Sequence, residues 1–325
     1  MIKVSNGRVK IWRHCRNAHY YKYVENIEPK KKKAALVKGS IIHDMIDAWL
    51  KGKDWKSVLE VYNGLYDQLF KEEQEEYGDI INDMSRVMQG YTDKWQNEKL
   101  ECLETEKEIE LELVPGRIKL TGVIDRIYKD HKDRIWLGES KSFKRALPKE
   151  EIRFTDLQTT LYYWAAPLVD LPQPYGIMWD YIRAKPPTIP ELLKKGGLSK
   201  AKKIDTTYDV YLQAIQNNGL EVTDYAEILE ELRTKPDNFY RRVYRPAPDT
   251  LVKPLIRDFK ESAIEIEILG ETSRTRHLTR DCGWCDYYSL CQAELRDMDT
   301  NYIRKADYQE RRSKDESKET EEEDN

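Results

Sequence analysis

Three side chains carry the densest chemistry in this chain: Asp125, Glu139 and Lys141. They lie in the stretch from Gly122 to Lys141, whose ends are apolar and β-branched (Val123, Ile124, Ile127; Ile135, Leu137) around a charged centre, Lys129 to Arg134. That pattern predicts two strands around a polar turn. Residues i and i+2 of a strand share a face, so Glu139 and Lys141 point the same way. A turn centred near Lys132 sets Asp125 opposite Glu139, and two carboxylates and one ammonium then converge on one sheet face. Carboxylate oxygens at that density suit a hard divalent cation, Mg²⁺ or Mn²⁺. The lysine is placed to orient an attacking water or to take its proton. Taken alone the pattern is unspecific, because Asp followed at a distance by Glu-x-Lys arises by chance in a chain that is 35% charged.

Other elements must hold these groups in place. Lys38 to Leu50 has a helical pattern in which Gly39 and His43 are four apart and share a face. A glycine there permits close approach, and the meaning of a lone histidine depends on what faces it. Two further amphipathic helices are read from Val58, Tyr62, Leu65 and Leu69, and from Ile80, Met84, Val87, Tyr91 and Trp95, both as scaffold. From Thr105 the period changes to two, with Glu106, Glu108, Glu110 and Glu112 alternating with Ile109, Leu111 and Leu113. This is a half-buried antiparallel strand turned at Pro115-Gly116. Residues 156–168 predict a helix with Gln158 and Tyr162 on one side, and residues 176–183 a further strand. The order strand, strand, strand, helix, strand implies an α/β fold with a mixed central sheet flanked by helices.

The first residues read as a short irregular start, followed by an aromatic-rich segment. Residues 239–246 mix Arg241, Arg242 and Arg245 with Tyr244. Such a mixture serves either to hold phosphates and stack bases or as a solvated edge strand. A long helix is expected from about residue 249 to 269. The expected organisation is an α/β core with its preceding helical segment over 1–185, a mostly helical insertion over 186–270, a cysteine-bearing region over 271–304 and a disordered acidic tail over 305–325.

Composition narrows the class. No apolar run approaches the roughly 18 residues needed to cross a bilayer, and the N-terminus has no apolar signal region, which points to the cytoplasm and away from a membrane. The net charge of −4 hides an asymmetry: residues 315–325 hold seven acids and one lysine, a net of −6, so the rest of the chain carries +2. Five cysteines in such a chain argue for ligands or buried thiols rather than a disulfide framework. Cys282, Cys285 and Cys291 form C-x2-C-x5-C, Cys15 stands near the N-terminus, and Cys102 is expected to be a free, at least half-buried thiol.

In chain order these pieces resemble the RecB-like branch of the PD-(D/E)XK nuclease superfamily, and more narrowly its iron–sulfur exonucleases related to the CRISPR-adaptation nucleases, many of them of phage type. Gly39-x-x-x-His43 matches the family's GxxxH, Gly122-x-x-Asp125 its aspartate motif, Glu139-x-Lys141 its (D/E)xK, and Gln158-x-x-x-Tyr162 its QxxxY. Cys15 with Cys282, Cys285 and Cys291 matches the split cysteine set of a 4Fe-4S cluster. Each motif is weak alone; five in the right order are specific. Two departures stand out: the acid is Glu139 followed by Ser140 where the family often has Asp and an aromatic, and the region from Pro186 to about Leu269 is longer than in small CRISPR-associated members.

The resemblance implies that His43, Asp125, Glu139 and the Ser140 carbonyl ligate Mg²⁺ or Mn²⁺, and that Lys141 positions water or acts as general base. Gln158 would help place Lys141 or the water, and Tyr162 would touch the DNA backbone, with helix packing as the alternative role for Tyr162. Zinc competes for the cysteines, with His277 or His14 completing the site, but four thiolates favour the iron–sulfur cluster as a structural staple. The implied activity is a metal-dependent DNA exonuclease, acting on single-stranded ends with 5′-to-3′ polarity, in recombination, repair or phage DNA processing. The alternative is a catalytically silent DNA-binding or assembly module, which the intact His, Asp, Glu and Lys disfavour. A helicase is excluded by the lack of a Gly-x4-Gly-Lys-Ser/Thr phosphate loop. A partner helicase, recombinase or integrase would fit the family, but no motif in the chain marks one.

Overall fold

The computed structural model describes residues 1–145, 156–194, 196–201, 203–246 and 249–311. Strand β1 (Ile2–Val4) leads into helices α1 (Asn6–His14) and α2 (Arg16–Tyr23), then strand β2 (Ile27–Pro29). Four helices follow: α3 (Ala34–Leu50), α4 (Lys56–Asp67), α5 (Lys71–Tyr77) and α6 (Ile80–Trp95). Strands β3 (Leu100–Val114), β4 (Ile118–Asp130) and β5 (Ile135–Phe143) come next, then α7 (Leu157–Ala165) and β6 (Gly176–Arg183). Helices α8 (Tyr208–Asn217) and α9 (Ala226–Arg233) precede β7 (Tyr240–Pro246) and α10 (Asp249–Leu269). The chain closes with α11 (Tyr288–Leu295), α12 (Asn301–Asp307) and β8 (Tyr308–Glu310).

The predicted mixed sheet is present. Its order is β1-β4-β5-β6-β7, with β3 also on β4; β1–β4 and β5–β6 are parallel and the other pairs antiparallel. The β4–β5 turn is fixed by Asp130, whose carboxylate accepts from the Lys132 and Arg134 amides at 2.9 and 3.0 Å and from Trp136 Nε1 at 3.0 Å. The register pairs Arg126 with Gly138 and Lys129 with Ile135, centred on residue 132 as the charge pattern required.

Helices cover the sheet with two apolar cores. Trp12 of α1, Leu161 of α7 and Phe259 of α10 pack on Ile118, Leu120 and Ile124. Ile42 and Met45 of α3 pack with Met84 and Tyr91 of α6 against Ile182 and Tyr240. At about 25 cal/mol per Å² of apolar surface, burial on this scale is what opposes the entropy of ordering the chain.

Four expectations need correction. The start is not irregular: β1 adds in parallel to β4, and α1 and α2 are amphipathic, with Val9, Trp12 and Tyr21 buried. Residues 54–100 form three helices rather than two, because the acidic patch at 72–76 makes its own short helix α5. The helical insertion is shorter than 186–270: α8 and α9 enclose a separate core around Tyr211, Ile215 and Leu229, whereas β7 joins the main sheet and α10 packs on it. The tail begins later than residue 305, because Arg304 bonds Glu294 at 2.9 Å and buried Tyr308 stacks on Tyr287, which fixes α12 and β8. Strand β8 pairs with β2 across 281 residues of sequence, counted from Glu28 to Gln309. The tail from 312 and most of the basic stretch 144–150 lie outside the described residues.

Of the two readings of residues 239–246, the edge strand holds, with a qualification. Strand β7 ends the sheet, yet Arg242 points inward and is almost wholly buried.

Candidate active site

The site lies where strand pairing fails. One edge of β4 is covered by β3 along its length. The other edge meets β1 at Ile118–Leu120 and β5 at Arg126–Lys129, so residues 121–125 have no ladder partner there among the described residues. Asp125 stands at the mouth of this fork. Beyond it the Ser140 amide donates not to a strand carbonyl but to Asp125 Oδ2, at 3.0 Å.

Helix α3 brings His43 to the same place. Gly39 faces β5 closely: a β-carbon there would come 3.3 Å from Ser142 Oγ, a contact the hydroxyl would have to yield to by a few tenths of an ångström. His43 Nε2 lies 3.5 Å from Asp125 Oδ2 and 3.4 Å from the Ser140 carbonyl oxygen. Burial lowers the His43 pKa, and the charge of Asp125 recovers only part of that shift. The ring is therefore neutral near pH 7, with a lone pair free to ligate.

One functional candidate was missed from the sequence. The donor atoms of His43, Glu106 and Asp125 all lie within 4.8 Å of one another. Glu106 falls opposite Asp125 because the β3–β4 ladder pairs Thr105 with Arg126 and Lys107 with Ile124. The signal was available: reflection about Pro115-Gly116 pairs residue 106 with residue 125, but the alternation of four glutamates read as a solvated face. Glu106 also has φ +50, a left-handed backbone inside a strand, which is a local cost that non-glycine residues seldom bear. One imidazole nitrogen and two carboxylate oxygens form a donor set for a hard-to-intermediate divalent ion, so the residues fit Mg²⁺ or Mn²⁺.

Glu139 and Lys141 share a face as predicted, and the Lys141 ammonium bonds Glu139 Oε1. Gln158, at the start of α7, donates to both Glu139 oxygens at 3.0 and 3.2 Å. Gln158 thus holds Glu139, which in turn bonds Lys141. Glu139 is 4% exposed, and burial, reinforced by the Asp125 charge, pushes its pKa up to about 8 despite the ammonium. A dication beside it would remove that penalty.

Tyr162 makes a packing contact within the fold. Its ring is buried and lies over Gly122, where a β-carbon would approach Tyr162 Cε1 to 2.6 Å. Two separate sequence motifs therefore meet as one packing contact. The glycine is required by the tyrosine.

At the far end of α1, Cys15, Cys282, Cys285 and Cys291 line one small cavity together with His277 and Tyr21. Cys15 is brought there by the break between α1 and α2, and the other three by the loop before α11 and by α11 itself. His277 turns Nδ1 to the His14 carbonyl at 3.1 Å. Cys102 is far from this cavity in sequence, a free half-buried thiol as expected, with its pKa raised by burial.

The model of the PD-(D/E)XK nuclease superfamily matches residues 3–292. The chain belongs to this superfamily. A PD-(D/E)XK core explains why Asp125, Glu139 and Lys141 sit at a forked edge of a mixed sheet, and membership makes a metal-dependent nuclease acting on DNA the activity of the fold. Comparison with curated proteins yields no match. Among the described residues no helix is long and apolar enough to cross a membrane.

Proposed function

We propose that this PD-(D/E)XK protein is a metal-dependent deoxyribonuclease that hydrolyses phosphodiester bonds from single-stranded DNA ends, 5′ to 3′, in recombination, repair or phage DNA processing in the cytoplasm. The observation that carries the reading is the meeting of His43, Glu106 and Asp125 within 4.8 Å, beside the buried Glu139–Lys141 pair. His43, Glu106 and Asp125 would hold Mg²⁺ or Mn²⁺, with the Ser140 carbonyl and Glu139 at its margin. The ion supplies charge neutralisation at the scissile phosphate and a lowered pKa for the attacking water. Glu139, held by Gln158, fixes the Lys141 ammonium at the mouth of the fork. Lys141 then orients the water or accepts its proton. Exonuclease action, polarity and strand preference rest on the resemblance of the motifs to the RecB-like exonucleases.

The four-cysteine cavity is read as a 4Fe-4S site that staples α2 to α11. Supporting this, Cys15, Cys282, Cys285 and Cys291 line one cavity, and four thiolates are the usual ligand set of such a cluster. Iron and acid-labile sulfide analysis of anaerobically purified protein tests it, and stoichiometric zinc without iron would overturn it.

The activity is tested by incubating the protein with end-labelled linear and circular single strands in Mg²⁺ and Mn²⁺, beside Lys141→Ala. Loss of linear substrate only, abolished by EDTA and by the substitution, is the expected result. Cleavage of circles would make it an endonuclease as well. No cleavage with DNA still bound would leave a silent binding module.

A further inference from the structure

The layer behind the fork carries charges that fold stability does not require. Arg126, the residue after Asp125, points to the opposite side of β4 and is 1% exposed. Its Nη1 donates to Ser140 Oγ, and its Nε has no hydrogen-bond partner. Next to Ser140 in the β5–β6 register stands Asp180, also 1% exposed. Its Oδ2 accepts from the Tyr91 hydroxyl and, at 3.3 Å, from Arg242, while its Oδ1 has no partner. A guanidinium group and a carboxylate buried with unsatisfied atoms cost free energy that apolar residues of similar volume would not.

What this layer does contribute is a grip on one peptide. The β4–β5 ladder ends at the pair Arg126–Gly138. Two residues later Ser140 is held from both sides by consecutive residues of β4: its amide by Asp125 at 3.0 Å, and its hydroxyl by Arg126. Its carbonyl is then left facing His43 Nε2 at 3.4 Å.

We infer that Arg126 is a positioning residue for the metal site, acting through Ser140 to orient both the Ser140 carbonyl and the Asp125 carboxylate. The inference rests on the metal-site reading above and extends it to a residue that touches neither ion nor DNA. Asp180, held by Tyr91 of α6 and Arg242 of β7, lies in the same buried layer.

The test uses the full chain, with Mn²⁺ binding read by electron paramagnetic resonance and folding by circular dichroism. Loss of an outer partner of a metal ligand weakens affinity about 10–100-fold. Ser140→Ala, which keeps the amide and carbonyl but removes the acceptor of Arg126, is expected to weaken Mn²⁺ by that factor with its spectrum unchanged. Arg126→Met is expected to do the same, and the double variant to bind no more weakly than Arg126→Met, because both remove one contact. Ser140→Ala alone keeps the inference testable if Arg126→Met does not fold. Folded variants that bind Mn²⁺ like the parent, or a double variant whose losses add in full, would overturn the positioning role and leave the metal site intact. A parent that binds no Mn²⁺ would overturn the metal-site reading itself and this inference with it.

Discussion

Replacing Glu139 with glutamine should make the metal-free protein more stable at pH 8 while it destroys the site. The Glu139 carboxyl moves from an ordinary value of 4.5 to about 8 on folding, chiefly by burial. The native state thus retains a proton that the unfolded chain releases, so stability falls as pH rises from 4.5 and levels off above 8. The difference of about 3.5 pH units, at about 1.36 kcal/mol each, sets an upper limit of about 5 kcal/mol. Glutamine is isosteric with the protonated acid and does not titrate. In EDTA the two proteins should match near pH 5, and the variant should lead by several kcal/mol at pH 8, read from urea unfolding at both values. Mn²⁺ at 100 times the parent's Kd should narrow the gap by up to about 2.7 kcal/mol, to the extent that the variant binds the ion less well. Parallel pH dependences in EDTA would refute the reasoning, because Glu139 would then be an ordinary ionised carboxylate.

Lys141→Met should lower cleavage by about 10²–10⁴-fold, measured on labelled linear DNA, with DNA binding retained. Gly122→Ala drives a methyl into the Tyr162 ring, 2.6 Å away, and should cost about 1–3 kcal/mol in thermal melts, with Tyr162→Leu recovering part of the loss. His19 is fully buried, and burial, then Arg8, lowers its pKa to about 4. The unfolded chain therefore binds the extra proton, and stability should be lost on acidification from pH 6.5 to 4, by up to about 3 kcal/mol. His19→Gln should flatten that limb of the unfolding curve.

The central hairpin was legible because its information is local: period-two alternation and one turn centre fix the register, and the register fixes which carboxylates meet. His43 and Gln158 were legible only through the order of motifs, since nothing local says which strand a helix faces. Glu106 was lost because a carboxylate on a strand reads as solvated until its neighbour across the ladder is known. Strand β1 is three residues long, too short for any period to register, and it exists because β4 offers it an edge. The packing of Tyr162 on Gly122 was not legible, because no local pattern says that the two motifs touch.

The pairing of β2 with β8 also bears on how the molecule comes into being. Residues 15–29 find their partners in residues 282–310, which are synthesised more than 250 residues later. At about 5–20 residues per second, the N-terminal segment waits on the order of 15–60 seconds after leaving the ribosome before that unit can close. Meanwhile the central hairpin and α3 draw their packing partners from residues 2–269. The fork can therefore form before the unit that joins residues 15–29 to 282–310, and any delay in closing that unit leaves a core that is folded but unlatched.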